Sequence, residues 1–203
     1  MNKSEIIKLD LYAQNPIRIA HIEGVFECAC ILKNRHFPEI SDEEIAQAAY
    51  MHDFTKEWND EKQLELMAKY NFPLDECELN TKKLYHAKSA YLLCKFKYEL
   101  PQNVCDAVLF HTTGKENMTG IEKVIYLADY IEKNRTHTDC IDVRDTYNML
   151  LAKNNPNALD EAILYSLDFT LEHLLNKGFL IHKNTINARN FLINKLNNER
   201  NNI

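Results

Sequence analysis

The chain has few of the residues that interrupt regular helices. Only four of its 203 residues are glycine and five are proline. Strand-like alternation of apolar and polar residues is also scarce, whereas helical periodicity and helix-start signals recur along the whole chain. This pattern predicts an all-α protein.

Two further absences exclude classes of protein. No run of about 18 apolar residues occurs, so we expect no membrane span, and Met1 to Glu5 lead into no apolar stretch typical of a signal peptide. An excess of basic residues is also lacking. The formal net charge is −6, whereas general nucleic-acid binders are usually basic. We therefore expect a cytoplasmic protein with neither nucleic-acid nor membrane partners.

The chain also lacks paired cysteines and internal boundaries. Its six cysteines form no C-x-x-C pair and lie mostly within helical patterns, so we interpret them as reduced, buried thiols. No internal repeat, low-complexity tract or linker is present. We therefore expect one domain over residues 1–203, with a core of about 16–135 and a helical C-terminal part of about 141–200.

The helices that the sequence predicts begin and end at recognisable signals. Ser4 is a candidate N-cap, Asn15-Pro16 opens the next helix, and the capping boxes Ser41–Glu44 and Thr119–Glu122 open two more. Gly178 is expected to stop the helix before it. Apart from the helix that Thr119 starts, the predicted helices cover approximately residues 4–13, 16–35, 43–51, 60–70, 81–98, 101–111, 141–153, 157–177 and a last segment from 185.

The first chemical signal is the pair His52-Asp53, which joins an imidazole directly to a carboxylate. Neighbouring residues within a helix point about 100° apart, so one metal can take both only where the backbone turns. The helical pattern breaks soon after this pair, at Trp58. Imidazole and carboxylate suit a catalytic transition metal. By itself the pair also fits a helix-end histidine beside a capping aspartate.

Other ionisable residues fall on apolar helical stripes or at helix ends. Asp129 interrupts an almost wholly apolar segment, and a buried carboxylate is costly unless it is paired or bound to metal. Taken singly, these residues also fit satisfied core histidines or a buried ion pair. Their order on successive helices indicates a metal site, with the candidate ligands His21, His52, Asp53, His86, His111 and Asp129.

This series resembles the HD superfamily of metal-dependent phosphohydrolases. More specifically, the chain resembles the bacterial YqeK family of symmetrical diadenosine tetraphosphate hydrolases. The resemblance runs from about residue 16 to residue 192. Its specific parts are the segment around Asp129 and the turn His111-Thr112-Thr113-Gly114, and Lys133 stands where the family has proline. The matching segments are 18–21, 52–57, 111–114, 122–135 and 178–190.

The resemblance implies a single HD-domain helical bundle with additional C-terminal helices. It also implies that His21, His52, Asp53 and Asp129 hold a first metal. Asp53 would bridge to a second metal, which His86 and His111 would complete. With one metal bound, these two imidazoles would meet phosphate oxygens instead. The family implies iron, although the ligand set also admits manganese or another divalent metal.

The implied activity is the symmetrical hydrolysis of diadenosine tetraphosphate, a dinucleoside polyphosphate, into two ADP. Asp53 and Lys56 are the expected catalytic residues. Arg18 and Arg135 are also compatible with solvated surface cations, and Thr112–Gly114 with a plain helix-ending turn. The expected substrate-binding residues are Arg18, Lys56, His86, His111, Thr112, Thr113, Gly114 and Arg135.

Other interpretations remain open at this point. The chain also fits another HD phosphohydrolase, acting on deoxynucleotides or guanosine alarmones, or a non-catalytic sensor that binds metal and nucleotide. Thr170–His173 either borders the nucleotide or packs between helices. We interpret His36, His137 and His182 as surface or structural residues. The sequence leaves open the base preference, the native metal, the metal count and a homodimeric state.

Overall fold

Helices form the regular secondary structure in a computed structural model of the protein, which describes residues 2–201. The predicted all-α fold is confirmed. Short 3-10 turns, Pro16–Arg18 and Lys82–Leu84, precede the second and sixth α-helices. Within the described residues the α-helices are α1 (Lys3–Gln14), α2 (Ile19–His36), α3 (Asp42–Met51), α4 (Asp60–Lys69), α5 (Glu76–Leu79), α6 (Tyr85–Phe96), α7 (Gln102–Phe110), α8 (Gly120–Ile131), α9 (Thr138–Ala152), α10 (Ala158–Lys177) and α11 (Lys183–Asn201).

Helix α8 lies at the centre of the bundle. Its residues are buried almost throughout because its sequence is apolar on nearly every side, and such a helix is stable only inside a protein. It packs against α2, α7, α9 and α10. Helix α3 packs against α2 and α7 in turn. This arrangement brings Asp129 of α8 close to His21 of α2 and to the end of α3.

The predicted capping boxes are confirmed. The Ser41 hydroxyl accepts a hydrogen bond from the Glu44 N–H at 3.2 Å, and the Glu44 carboxylate accepts one from the Ser41 N–H at 3.1 Å. The Thr119 N–H donates to the Glu122 carboxylate at 2.7 Å. Gly178 ends α10 with a φ of +65°, a left-handed conformation that favours glycine.

The predicted start of the first helix is wrong. Helix α1 begins before Ser4, and Asn2 is its N-cap, with its side chain accepting the N–H of Glu5 at 2.9 Å. The Ser4 hydroxyl instead donates to the Glu43 carboxylate at 2.7 Å. Ser4 therefore ties α1 to α3, a contact that local sequence signals cannot indicate.

Two other boundaries differ from the prediction. The helix expected over residues 81–98 is shorter because Lys82–Leu84 form a 3-10 turn, and the short helix α5 lies just before it. Ile17 falls within the predicted helix 16–35 but is 84% exposed. It belongs to the 3-10 turn Pro16–Arg18, which does not continue the α-helical periodicity.

One connected hydrophobic core extends from Ile7 in α1 to Leu192 in α11. The expectation of a single domain over residues 1–203 stays a prediction. All six cysteines are free thiols, of which Cys94, Cys105 and Cys140 are buried. Among the described residues, no helix combines the length and the apolar character needed to cross a membrane.

Candidate metal centre

The six residues predicted as metal ligands lie together in one cluster. Two groups within it each place ligand atoms close enough for one ion, and Asp53 belongs to both. The ligands come from different parts of the chain: His21 from α2, His52 and Asp53 from the end of α3, His86 from α6, His111 from the end of α7, and Asp129 from α8. His52 and His111 each directly follow the last residue of a helix, where the backbone turns as the sequence predicts.

Asp53 presents its two carboxylate oxygens to two different pairs of imidazoles. Oδ2 lies 3.7 Å from His21 Nε2 and 3.8 Å from His52 Nε2. Oδ1 lies 3.1 Å from His86 Nε2 and 3.6 Å from His111 Nε2. Asp129 adds Oδ1 to the first pair, 3.2 Å from His21 Nε2. Asp53 therefore has the position of a bridge between two sets of ligands.

The outer nitrogens of the imidazoles fix which nitrogen faces the cluster. His52 Nδ1 lies 2.7 Å from the Ala49 carbonyl oxygen, and His111 Nδ1 lies 2.7 Å from the Val108 carbonyl oxygen. A carbonyl oxygen only accepts, so each Nδ1 carries the proton and donates. In neutral His52 and His111, Nε2 therefore carries a lone pair that points into the cluster.

This arrangement fits divalent metal ions. His86 Nε2 and His111 Nε2 face one another at 3.1 Å, and Asp53 Oδ1 is buried without a hydrogen-bond partner. Lone pairs and carboxylate oxygens that converge in a buried site repel one another unless a cation lies between them. The nitrogen and oxygen donors suit a first-row transition metal. The cluster therefore supplies the donors that one or two such ions require.

The pKa values of four residues in the cluster favour metal binding at neutral pH, whereas burial lowers the pKa of His21 but Asp129 outweighs it and raises that pKa. Burial lowers the pKa of His52 to about 3 and that of His86 to about 4, so both imidazoles are unprotonated at neutral pH and free to bind a metal. Burial by itself would raise the pKa of Asp53 and Asp129. The surrounding imidazoles, with Lys56 beside Asp53 and Arg135 beside Asp129, outweigh burial and hold both pKa values well below the ordinary value. Both carboxylates are therefore ionised.

Three cations surround the carboxylates of the cluster. Arg18 Nη1 lies 3.4 Å from Asp53 Oδ2, and its Nε lies 3.1 Å from Glu57. Lys56 Nζ lies 3.6 Å from Asp53 Oδ1 and 3.1 Å from His86 Nε2. Arg135 Nη2 lies 2.5 Å from Asp129 Oδ1. All three predicted phosphate-binding cations thus lie at the metal-ligand cluster, partly exposed to solvent.

The turn after His111 is largely occupied by internal contacts. The Thr113 hydroxyl is buried and donates to the Gly114 carbonyl at 2.8 Å. Gly114 is buried, and a Cβ added to it would lie 3.2 Å from Ala188 Cβ in α11. Thr112 is half-buried. Substrate binding by Thr112, Thr113 and Gly114 stays a prediction.

Sequence reasoning missed two residues that support the ligands. Glu132 Oε1 lies 3.2 Å from His21 Nδ1, and the buried Asn15 side chain donates to the Asp53 carbonyl oxygen at 3.5 Å. The sequence shows that Glu132 is a carboxylate three residues beyond Asp129, at the end of an apolar helix, but it does not show that Glu132 pairs with His21. The sequence offers no signal for the contact of Asn15, which reads as a helix cap before Pro16.

The remaining histidines fit the structural interpretation where they are buried. His182 Nε2 lies 3.1 Å from Glu78 Oε1, which also pairs with Lys88 at 2.5 Å. This network ties the start of α11 to α5 and α6. His36 Nε2 lies 2.8 Å from the Tyr147 hydroxyl and so joins α2 to α9.

The helical bundle and its His/Asp cluster agree with the family comparison. Residues 18–134 match the profile of the HD domain, and the chain belongs to the HD-domain family. This range contains all six candidate ligands. The domain and the donor set together point to a divalent-metal site.

The chain is also similar to individual proteins over nearly its whole length. Two relatives carry the name symmetrical bis(5'-nucleosyl)-tetraphosphatase, one from Bacillus subtilis and one from Halalkalibacterium halodurans. Each is 30% identical over 95% of this chain and 98% of its own length. A crystal structure from Clostridium acetobutylicum, described as a predicted HD superfamily hydrolase involved in NAD metabolism, matches with a TM-score of 0.82. It is 30% identical and covers 94% of this chain and 97% of that one.

Proposed function

We propose that the protein is a metal-dependent hydrolase that cuts diadenosine tetraphosphate symmetrically into two ADP. The main support for the proposal is the position of Asp53. Its two carboxylate oxygens face separate pairs of imidazoles, and three cations lie beside the site. Such a centre suits hydrolysis of a phosphoanhydride, in which charge must be stabilised on several oxygens at once. Similarity to the tetraphosphatases over nearly the whole chain supports the choice of substrate.

The metal ions are assigned to the two sides of Asp53. His21, His52, Asp53 and Asp129 would hold the first ion, and Asp53 with His86 and His111 would hold the second. A bound divalent metal supplies Lewis acidity, which activates water and offsets the charge of phosphate oxygens. We propose iron because of the family resemblance, and the donor set also accepts manganese.

The cations at the cluster are the proposed polyphosphate ligands. In the described structure Arg18, Lys56 and Arg135 neutralise the carboxylates of the centre. When those carboxylates hold metal ions, the three cations become available to the phosphates. Guanidinium groups bind phosphate through paired hydrogen bonds, and lysine acts as a point charge. Arg18 and Lys56 would then offset the charge that develops on the departing ADP.

One cavity of the molecule has a size suited to a nucleoside and aromatic side chains in its lining. Its volume is about 840 Å³, and Lys83, Tyr130, Phe169 and His173 are among its lining residues. Lys83 also lines a smaller cavity that includes Lys56 and His86, so this side chain borders both spaces. Small-molecule sites commonly occupy about 300–1,000 Å³ and are lined by aromatic side chains. Thr170 lines the larger cavity as well, which favours the first of the two interpretations of Thr170–His173, that this segment borders the nucleotide.

A substrate panel tests the proposal. Purified protein loaded with iron or manganese is incubated with diadenosine tetraphosphate, deoxynucleoside monophosphates and a guanosine alarmone, and products are resolved by chromatography. We expect turnover of the dinucleotide with ADP as product. Turnover of only the monophosphates or the alarmone would assign another HD phosphohydrolase activity. Binding of metal and nucleotide without turnover of any compound would favour the sensor.

A further inference from the structure

His21 differs from the other imidazoles of the centre in what supports it. His52 and His111 each direct Nδ1 to a backbone carbonyl oxygen, and His86 Nδ1 lies 3.4 Å from Lys56 Nζ. His21 Nδ1 alone among these four meets a carboxylate, Glu132 Oε1, at 3.2 Å. On its other side, His21 Nε2 lies 3.2 Å from Asp129 Oδ1. The His21 ring is thus held between two carboxylates that are three residues apart in the chain.

Glu132 is held in this position from several sides. It is 1% exposed, and its Oε2 accepts the Asn134 N–H at 2.6 Å. The Arg144 guanidinium donates to the carbonyl oxygens of Ile131, Glu132 and Arg135. These bonds fix the turn that follows α8, so Oε1 faces His21 without needing to rearrange.

Gly24 has no side chain, and the Glu132 carboxylate occupies the space beside it. It lies in α2, three residues after His21, and is buried. A Cβ at this position would lie 2.2 Å from Glu132 Oε2 and 2.8 Å from Asn134 Nδ2. Asn134 Nδ2 in turn donates to the Ala20 carbonyl oxygen at 2.9 Å. Any larger residue at Gly24 would therefore displace the Glu132 carboxylate and the Asn134 side-chain amide from their positions against α2.

We propose that Glu132 is the positioning residue of His21 and that Gly24 is required for its placement. The Glu132 carboxylate accepts a hydrogen bond from the Nδ1–H of His21, so Nε2 keeps its lone pair toward Asp53 and Asp129. An anionic partner also makes the imidazole a stronger ligand than a carbonyl partner does. The metal on the His21 side of Asp53 is therefore bound more tightly than the metal on the His86 side. This inference rests on the metal centre of the proposed function and not on the identity of the substrate.

The test compares Glu132→Gln with Glu27→Gln. Glutamine keeps the size of Glu132 and an accepting oxygen but removes the charge. Glu27 is an exposed glutamate of α2 that pairs with Lys133 and lies outside the centre. Metal dissociation constants are measured for Mn²⁺ by competition with a chelator, on protein whose fold is checked by circular dichroism. We expect Glu132→Gln to weaken the tighter site by about 10–100-fold and Glu27→Gln to leave it unchanged.

Gly24→Ala provides a second, independent variant. Alanine is favourable in a helix interior, so the expected loss of Mn²⁺ affinity would arise from displacement of Glu132. The inference is overturned if Glu132→Gln and Gly24→Ala both bind Mn²⁺ as the wild type does. It is also overturned if neither variant folds, since Glu132 would then act through stability alone. If the wild type hydrolyses no dinucleotide but Glu132→Gln still weakens Mn²⁺ binding, the positioning role stands and the proposed substrate fails.

Discussion

At the scale of single residues, Asp53 has the position on which the centre depends. Its oxygens lie between two imidazole pairs, and Oδ1 is buried without a hydrogen bond. No other residue of the cluster contacts both pairs through different atoms. A change at Asp53 is therefore expected to affect both metal positions at once.

Replacing Asp53 with asparagine should abolish metal binding and activity while the helical fold is kept. A neutral amide is a poor bridge between two cations, because only its carbonyl oxygen can bind metal. Elemental analysis should find about one to two metal ions per chain in the wild type and far fewer in the variant. Turnover of the variant near the wild-type rate would exclude Asp53 as a metal ligand.

Lys56 allows a test of the polyphosphate contact. Lys56→Gln should lower kcat/KM by about 10–100-fold, since a hydrogen bond to a charged group contributes about 1.5–3 kcal/mol. Lys62→Gln is the matched control, because Lys62 lies nearby in α4 with its Nζ over the Trp58 ring. Steady-state kinetics of the two variants decide the matter. Equal activities would remove Lys56 from the substrate contacts.

The sequence predicted that the candidate ligands would lie together, whereas it did not indicate the side chains that hold them in place. His21, His86 and Asp129 are ionisable residues on apolar stripes, and their order along the chain resembles one family. The partner of an imidazole depends on tertiary contacts between distant segments. Glu132 meets His21 across 111 positions of the chain, and no periodic pattern records that pairing.

At the scale of elements, helix ends and helix contacts decide the geometry. A histidine directly follows the last residue of α3 and of α7. The Nδ1–H of each histidine donates a hydrogen bond to the carbonyl oxygen three residues before it. The sequence predicts these helices because capping and periodicity are local. The predicted start of α1 is wrong because the Ser4 hydroxyl donates a hydrogen bond to Glu43 in α3 and does not cap α1. The 3-10 turn before α6 shortened another predicted helix.

An ion network centred on a buried aspartate links α10 to α8 and α11. Asp160 of α10 lies 2.6 Å from Lys123 of α8 and 2.6 Å from Lys195 of α11. Breaking a buried ion pair by removing one partner typically costs about 3–5 kcal/mol. Asp160→Asn should therefore lower the free energy of unfolding by about this amount at pH 7. Asp168→Asn, which removes a partly exposed partner of Arg189, should cost less.

The effect of Asp160 should depend on pH with a defined sign. Burial raises the pKa of Asp160, but Lys123 and Lys195 outweigh it, so the pKa is lowered. A lowered pKa means that the stabilisation is fully present above the ordinary carboxyl pKa and is lost as pH falls through the folded value. Urea unfolding should show a larger deficit at pH 7 than at pH 3. A deficit that is constant with pH would contradict the assigned ion network.

At the scale of the whole molecule, the protein has a net charge of −6 and yet is proposed to bind a polyphosphate. Interactions between exposed charges are largely screened beyond about 8–10 Å at ordinary ionic strength. The local cations and the proposed metal ions at the site can therefore attract a polyphosphate although the whole protein is acidic. The all-α class and the HD family followed from the sequence. The single domain, the cytoplasmic location and a homodimeric state remain predictions that concern the chain as a whole.

The stability of the metal-free protein should fall as pH falls below about 6.5, the pKa of a free imidazole. His52 and His86 have pKa values lowered to about 3 and about 4, so the unfolded chain binds more protons in this range. Burial lowers the pKa of His21, but Asp129 outweighs burial and the pKa is raised. Above about pH 6.5 the folded chain therefore binds more protons at His21 than the unfolded chain does, and this contribution to stability is lost as pH rises.

Urea unfolding of the metal-free protein between pH 7 and pH 5 measures this loss. His86→Gln should reduce the slope, and His137→Gln, at an exposed position, should leave it unchanged. A free energy of unfolding that does not change between pH 7 and pH 5 would mean that His52 and His86 titrate alike in the folded and unfolded chains.

A single-turnover reaction shows which phosphoanhydride bond of diadenosine tetraphosphate the enzyme cuts. Metal-loaded protein in excess is mixed with diadenosine tetraphosphate, and AMP, ADP and ATP are resolved at early times. Cleavage of the central phosphoanhydride gives two ADP, whereas cleavage of an outer one gives ATP and AMP. If the enzyme cuts symmetrically, ADP should be the sole early nucleotide product, with two ADP formed per substrate consumed. Equal early amounts of ATP and AMP would exclude the symmetrical cut.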